Sequence, residues 1–303
     1  MKQLKSLPIL ILFLFPLLHG CGQKDQTVQS PDSRISVTFE MLEDGSPAYT
    51  VYHSDSLVIQ RSNLGIIRED EDFSVNLTLD SVSAPVKVTD SYTLLHGKKH
   101  HCTYQGIRRV FHLSAPGGKQ MDIIFQVSDD GLAFRYHFPG KSRNLFRIKK
   151  ERSSFNFDTT AVAYLQPCPN PRTGWEKTQP SYEKYYQGPL AVGKSAPQEA
   201  GWVMPALFKS GRFWITLTEA AVDTNYCGSR LSRHAPGGEY TIQFPQPLEA
   251  RDGEPALPES DLPWSTPWRV AVVTDNLAGL AESTLGTDLA LPAQYDVSSW
   301  FEP

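Results

Sequence analysis

The chain has 303 residues and a net charge of −4, from 29 basic and 33 acidic side chains. That length fits one or two domains, and the charge balance excludes the basic footprint of a nucleic-acid-binding protein. The 23 prolines and 21 glycines are spread along the chain, as in a sheet protein with many turns, and there is no internal repeat or low-complexity tract.

The N-terminus reads as a targeting segment. Met1-Lys2-Gln3-Leu4-Lys5 is a basic start, and Pro8 to Leu18 is an apolar core too short to span a bilayer. It ends in Leu18-His19-Gly20-Cys21, which looks like a bacterial lipobox with Cys21 as the lipid anchor. His19 departs from that pattern, so an ordinary signal peptide releasing the protein to the periplasm is the alternative. The reading is a lipoprotein signal over residues 1–20, a flexible tether over 21–30, and a mature protein exported to the cell envelope, touching the membrane only through its lipid.

Strand patterns follow. Arg34 to Glu40 alternates, and Ala48 to Tyr52 returns after Asp44-Gly45, which predicts a hairpin. Asp70-Glu71-Asp72 reads as a solvated turn. Ser74 to Asp80 alternates as a further strand; that reading, together with the bacterial source the lipobox indicates, discounts the sequon-like Asn76-Leu77-Thr78 as a glycosylation site. Arg109 to Leu113 alternates again. Gln120 to Val127 and Leu132 to Phe138 flank Ser128-Asp129-Asp130-Gly131, the clearest hairpin signal in the chain. Phe146 to Lys149, Ser153 to Phe157, Val162 to Leu165, Val203 to Phe208, Phe213 to Thr218, Tyr240 to Phe244 and Trp268 to Val273 continue the series. Only Asn276 to Leu291 has rough helical spacing, through Leu277, Leu280 and Leu285. Many short strands without βαβ alternation predict an all-β sandwich or barrel, as one domain over residues 31–291 with a short helical segment near the C-terminus.

The segment Pro180-Ser181-Tyr182-Glu183-Lys184-Tyr185-Tyr186-Gln187-Gly188-Pro189-Leu190 carries the most chemistry. Its prolines predict a shaped loop, and loops on rigid scaffolds hold binding groups. A carboxylate among tyrosines suits a hard cation, which takes oxygen ligands, or a sugar, whose apolar face packs on an aromatic ring. A solvated Glu183 with tyrosines packed on the sheet is the competing reading. Trp175 and Glu176 lie just upstream and either line the same surface or pack simply on it.

Other constellations are weaker. His96, His100, His101 and His112 form the one histidine-rich region, and His100 and His101 point to opposite faces if extended, so one shared centre is disfavoured. Glu219 follows the apolar strand Phe213 to Leu217, where a structural and a ligand role both stay open. Cys102, Cys168 and Cys227 lack zinc-type spacing, and their odd number allows one disulfide at most.

Taken in order, Ser30 to Ile35, the Asp44-Gly45 hairpin, Asp122 to Tyr136, Ser181-Tyr182-Glu183, Leu217 to Ala221, Ser265 to Arg269 and Leu280 to Leu285 resemble the N-terminal domain of glycoside hydrolase family 97. That family comprises α-glucosidases and α-galactosidases found largely in Bacteroidetes. The resemblance implies a β-supersandwich similar to galactose mutarotase, packed on a catalytic (β/α)₈ barrel. It implies a Ca²⁺ held mostly by barrel glutamates, to which Glu183 donates one ligand, and it puts Tyr182, Tyr185 and Tyr186 on the substrate side. Residues 292–303 then read as a linker toward a barrel beyond this sequence, which on this reading holds the carboxylate pair that glycoside hydrolysis needs. The expectation is a chain without catalytic residues of its own, inactive alone and without tight Ca²⁺ binding. It would support exo-hydrolysis of an α-linked oligosaccharide when a barrel is supplied. A surface glycan-binding lipoprotein and a gene fragment without function are the alternatives.

Overall fold

The computed structural model describes residues 26–94, 96–171, 184–250 and 256–292. The first strands are β1 (Thr27–Gln29), β2 (Ile35–Met41), β3 (Pro47–His53), β4 (Ser56–Asn63), β5 (Ile66–Arg68) and β6 (Glu71–Phe73). Then come β7 (Thr78–Val82), β8 (Val86–Thr93), β9 (His101–Ser114), β10 (Gln120–Ser128), β11 (Gly131–Glu151), β12 (Ser154–Asn156) and β13 (Val162–Pro167). The last are β14 (Gln187–Ala191), β15 (Trp202–Ser210), β16 (Phe213–Ala220), β17 (Arg230–Leu231), β18 (Glu239–Gln243), β19 (Glu259–Ser265) and β20 (Trp268–Thr274). Two short helices close the described chain, α1 (Leu277–Glu282) and α2 (Leu285–Asp288).

Every pairing between these strands is antiparallel, and together they make two layers. The main layer runs β9–β10–β11–β20–β16–β15–β13–β14, with β7 and β8 on the outer edge of β9. The second layer comprises β1–β2–β3–β4, continued by β12 and β18. Between them lies an aromatic core. Phe39 meets Phe111 at 4.3 Å between ring centroids, Tyr49 meets Phe134 at 5.3 Å, and Phe157 stacks on Phe208 at 4.1 Å. The sandwich forms because alternate residues of each strand, such as Met121, Ile123, Phe125 and Val127, are apolar and fully buried.

The expected hairpins are present. β2 and β3 pair from Ile35↔His53 to Met41↔Pro47 across a turn in which Gly45 takes a φ of 73°, a conformation that suits glycine. β10 and β11 pair through Ser128↔Gly131. The architecture is all-β with a short helical segment near the C-terminus, as the sequence predicts.

Several expectations change. The polar stretch read as a tether contributes β1, whose Val28 is 1% exposed and pairs with Val37. The strand expected over Ser74 to Asp80 begins only at Thr78, because Asn76 sits at a φ of 55° and Asp72 Oδ1 accepts from both Ser74 N and Ser74 Oγ, which folds residues 74–77 into a turn. The strand expectation that counted against Asn76 as a glycosylation acceptor therefore fails. Asp70 lies exposed in a turn as expected, where it also takes a bidentate pair of bonds from Arg68 and an ion pair from Lys119, but Glu71 and Asp72 belong to β6 rather than to the turn. The helical segment breaks in two. Asn276 caps α1 by accepting from Gly279 N at 2.8 Å, and Ser283 ends it in extended backbone while donating to Asp130 Oδ2 at 2.5 Å. Cys102, Cys168 and Cys227 are all free thiols, the first two buried.

Candidate functional site

The proline-bracketed segment is not all loop. β14 begins at Gln187 and pairs with β13, with Leu190 opposite Ala163 and Ala191 opposite Val162. Pro189 is tolerated there because, among the described residues, β14 pairs with β13 alone and its outer edge needs no donor. Gly188 is required by close approach, since a Cβ at that position would come within 2.4 Å of Tyr164 Cδ1. The tyrosine ring thus packs directly on the β14 backbone.

Tyr185 is 95% exposed. Tyr186 is half-exposed and anchored, its hydroxyl donating to Pro205 O on β15 at 2.8 Å, and partial burial pushes its phenol above the ordinary value. Tyr182, Glu183, Trp175 and Glu176 lie outside the described residues, as does Cys21. The structure therefore places the C-terminal half of the proposed substrate-side segment, and places it at the edge of the main sheet.

Beside it the outer face of that sheet carries two aromatic residues that strand alternation alone did not flag. Tyr164 on β13 and Trp214 on β16 have ring centroids 6.2 Å apart, and Lys209 on β15 lies 5.0 Å over the Trp214 ring. Both rings are half-buried, because the inward places on their strands are taken by Ala163, Leu165, Phe213 and Ile215. The available signal was an aromatic residue at an outward position of an otherwise polar strand face. Tyr164 and Trp214 form an aromatic pair on this face, and Tyr164 packs against β14 at Gly188, two residues on from Tyr186; partly exposed rings of this kind suit sugar rings or a partner protein.

The histidines divide. His100 and His101 do not diverge: their rings meet edge-on at 4.4 Å, because His100 precedes β9 and turns back to Leu94 O at 2.9 Å. His112 lies at the other end of β9, roughly 35 Å away at the rise of a strand, so the group shares no centre. His112 belongs instead to a polar row across four strands. Its Nδ1 lies 2.7 Å from Asp122 Oδ1, Asp122 stands opposite His137 in register, and His137 Nδ1 lies 2.8 Å from Ser265 Oγ. Burial first, then the nearby Arg135 charge, lowers the His137 imidazole, against the pull of Asp122.

Glu219 has a structural place. It accepts from Ser229 N and Ser229 Oγ and from Arg269 Nη1 at 2.6 Å, while Arg269 Nε and Nη2 reach Glu151 at 2.9 and 2.6 Å. Burial alone would lower the Arg269 guanidinium, but the Glu151 charge and hydrogen bonds outweigh it and hold the group well above its ordinary value. Burial likewise pushes the nearby Cys227 thiol up to about 12.

Among the described residues no group of three or more histidine, cysteine or acidic side chains is placed to hold a metal. Ca²⁺ takes six to eight oxygens, so the described part of the chain offers no cage for it, and the one carboxylate assigned to it by resemblance is Glu183.

Comparison with known proteins agrees with this architecture. Residues 28–292 match the family described as Glycosyl-hydrolase 97 N-terminal. The chain is 28% identical over 280 residues to a probable retaining alpha-galactosidase of Streptomyces bingchenggensis, a match covering 91% of this chain and 40% of that protein. It is 23% identical to the retaining alpha-galactosidase of Bacteroides thetaiotaomicron, covering 99% of this chain and 46% of that one. In structure it is similar to a beta-arabinopyranosidase, with a TM-score of 0.82 at 30% identity over 90% of this chain and 44% of that one. A family 97 enzyme from Pseudoalteromonas sp. strain K8, solved in complex with panose, shares the fold at a TM-score of 0.73 and 24% identity, over 90% of this chain and 39% of that one. The chain spans less than half the length of each of these relatives. The chain belongs to glycoside hydrolase family 97, of which it carries the N-terminal β-sandwich domain.

Proposed function

We propose that this domain works as the substrate-side partner of a family 97 catalytic barrel acting on a galacto-configured pyranoside. Its aromatic sheet end would lie beside the sugar and Glu183 would lend one oxygen ligand to Ca²⁺. The observation that carries the reading is Tyr185, 95% exposed beside the anchored Tyr186. An unpacked aromatic next to a fixed one, on the edge of a rigid sheet, suits a surface completed by something else. The names of three relatives guide the choice of sugar: two are alpha-galactosidases and one a beta-arabinopyranosidase. The L-arabinopyranose ring shares the hydroxyl arrangement of D-galactopyranose and lacks only its hydroxymethyl group.

The division of labour follows from chemistry. Glycoside hydrolysis needs two carboxyl groups flanking one bond, and in this proposal the barrel supplies them. Ca²⁺, when bound, would polarise the substrate. The domain's own residues would position: Tyr182, Tyr185 and Tyr186 shield the sugar from water, and Glu183 fixes the ion. Cys21, as a lipidated N-terminus, would hold the assembly at the envelope.

The test is hydrolysis of p-nitrophenyl α-D-galactopyranoside by this domain together with a family 97 barrel, in cis or in trans. The domain alone is expected to release no nitrophenol. Glu183→Gln is expected to raise the Ca²⁺ concentration needed for half-maximal rate about tenfold or more. An unchanged Ca²⁺ requirement overturns the ligand role, and hydrolysis by the domain alone overturns the division of labour.

A further inference from the structure

The second layer carries a long surface cleft away from the Tyr185–Tyr186 segment, none of whose residues line it. It consists of two hollows of about 550 and 610 Å³, each within the ordinary size of a ligand site. Both hollows are lined by Asn63, at the end of β4, and Glu239, at the start of β18. These two are tied together: Glu239 Oε1 accepts from Asn63 Nδ2 at 2.6 Å and from Ser154 Oγ at 2.6 Å. The clasp is rigid, because β12 lies between β4 and β18 and pairs with both.

The lining restricts the occupant. Carboxylates and cations are mixed along it, with Glu40, Asp72 and Glu239 against Arg61, Lys150 and Arg152. A polyanion needs one sign of charge, so nucleic acid and clustered phosphates are disfavoured. An extended peptide would add to a free strand edge, but β4 and β18 are already paired on both sides, to β3 and β12 and to β12 and β17. What remains is a ligand with alternating donors and acceptors and a partly apolar face. One hollow provides for that face as well. Tyr52 points outward between the buried Val51 and His53, and its cross-strand neighbour Leu57 is 45% exposed. The other hollow is lined by hydroxyls and an amide, from Ser232, Thr241 and Gln243.

We propose that this cleft binds a neutral oligosaccharide lengthwise, one ring lying against Tyr52 and the next hydrogen-bonded at the Asn63–Glu239 clasp. The site is a glycan-holding surface, and it depends on the carbohydrate reading above only for the choice of probes. Neither Glu183 nor any barrel residue takes part.

The test is amide chemical-shift mapping of the full mature chain titrated to about 5 mM, a range suited to millimolar affinity, with maltohexaose, cellohexaose and an α-galactosyl mannan oligosaccharide. At least one sugar is expected to shift residues around Tyr52, Asn63 and Glu239. Tyr52→Ala is expected to weaken that sugar about tenfold or more. Glu239→Gln, which keeps an oxygen for Asn63 and Ser154, is expected to weaken it with the fold intact. No shift with any of the three sugars overturns the proposal, as does an equal response to a mixed-sequence hexapeptide. Shifts confined to Tyr185 and Tyr186 also overturn it while leaving the proposed function standing. Cleft binding combined with hydrolysis by the domain alone would do the reverse, keeping the cleft and overturning the division of labour.

Discussion

Along the run β11–β20–β16–β15–β13 of the main sheet, the outer face is built from the same kind of strand and finishes differently at the two ends. At the β11–β20 end, every residue of β20 is buried, on both faces. Leu285 and Leu289 from the helical segment cover Ala133, Val270 and Val272 there, with Trp268 and Tyr104 completing a second small core. At the β13–β15 end the described contact from outside the strands is Tyr186, whose hydroxyl donates to Pro205 O, and Tyr164, Trp214 and Tyr186 remain half-exposed. β16 crosses between the two and shows buried and half-buried residues alternating. A covered face reads as continuous apolar sequence, and an uncovered one as alternation with aromatic residues at outward places. The open end is therefore where a binding surface is expected, and the covered end is where stability is concentrated.

Substitutions should separate the two ends sharply. The largest effect is expected under the covered end, at the Glu151–Arg269–Glu219 triad. Arg269→Met leaves two carboxylates without their cation, and urea denaturation should show a loss of about 3–5 kcal/mol. Replacing all three by apolar residues of similar size should recover much of that loss. If Arg269→Met is silent, the triad does not hold the sheet.

Uncovering the closed end comes next. Leu285→Ala, at a fully buried position, should cost about 2–4 kcal/mol by thermal or chemical unfolding. It should also raise hydrogen exchange in β20 relative to β13. Equal exchange in both strands would erase the contrast drawn here.

Acid should act through buried histidines. His53 is 5% exposed, and burial first, then the Arg34 charge, lowers its imidazole below 6.5. Arg212 lowers it further, while Asp275 opposes. His137 is lowered in the same direction. Below pH 6.5 the unfolded chain binds protons that the folded chain refuses, so stability present at neutral pH is lost as pH falls below 6.5 through the lowered folded-state values. His53→Phe, which keeps a ring against Phe213, should flatten that part of the pH profile. A profile unchanged by it would assign the acid sensitivity elsewhere.

The smallest effect on stability is expected at the open end. Tyr185→Ala should change unfolding free energy by no more than about 0.5 kcal/mol, while lowering the rate of the domain–barrel pair on the α-galactoside. A large stability loss at Tyr185 would make it a packing residue and remove the main support for the proposed function.

Much of this was legible along the chain. The Asp129-Asp130-Gly131 hairpin, the Asp44-Gly45 hairpin and the strands β15, β16, β18 and β20 follow from turn chemistry and alternation, whereas β17 and β19 are not predicted by them. The short range of those rules also explains the misses. Ser74 to Leu77 alternates but is drawn into a turn by Asp72 beside it. The helix over residues 276–291 breaks at Ser283 because its hydroxyl bonds Asp130, 153 residues away. The His112–Asp122–His137–Ser265 row and the Asn63–Glu239 clasp join residues far apart in sequence, and no local pattern announces them.

By itself the sequence determined the all-β class, most strand positions and the segment in which a carboxylate lies among tyrosines, because alternation and turn residues act over a few residues. The packed fold alone settles which sheet faces are covered, that Tyr164 packs against β14 at Gly188 and meets Trp214, and that Glu219 is committed to a buried ion triad. Those outcomes depend on which strands become neighbours, and neighbourhood in a sandwich is set by long-range pairing and core packing rather than by any one strand's own residues.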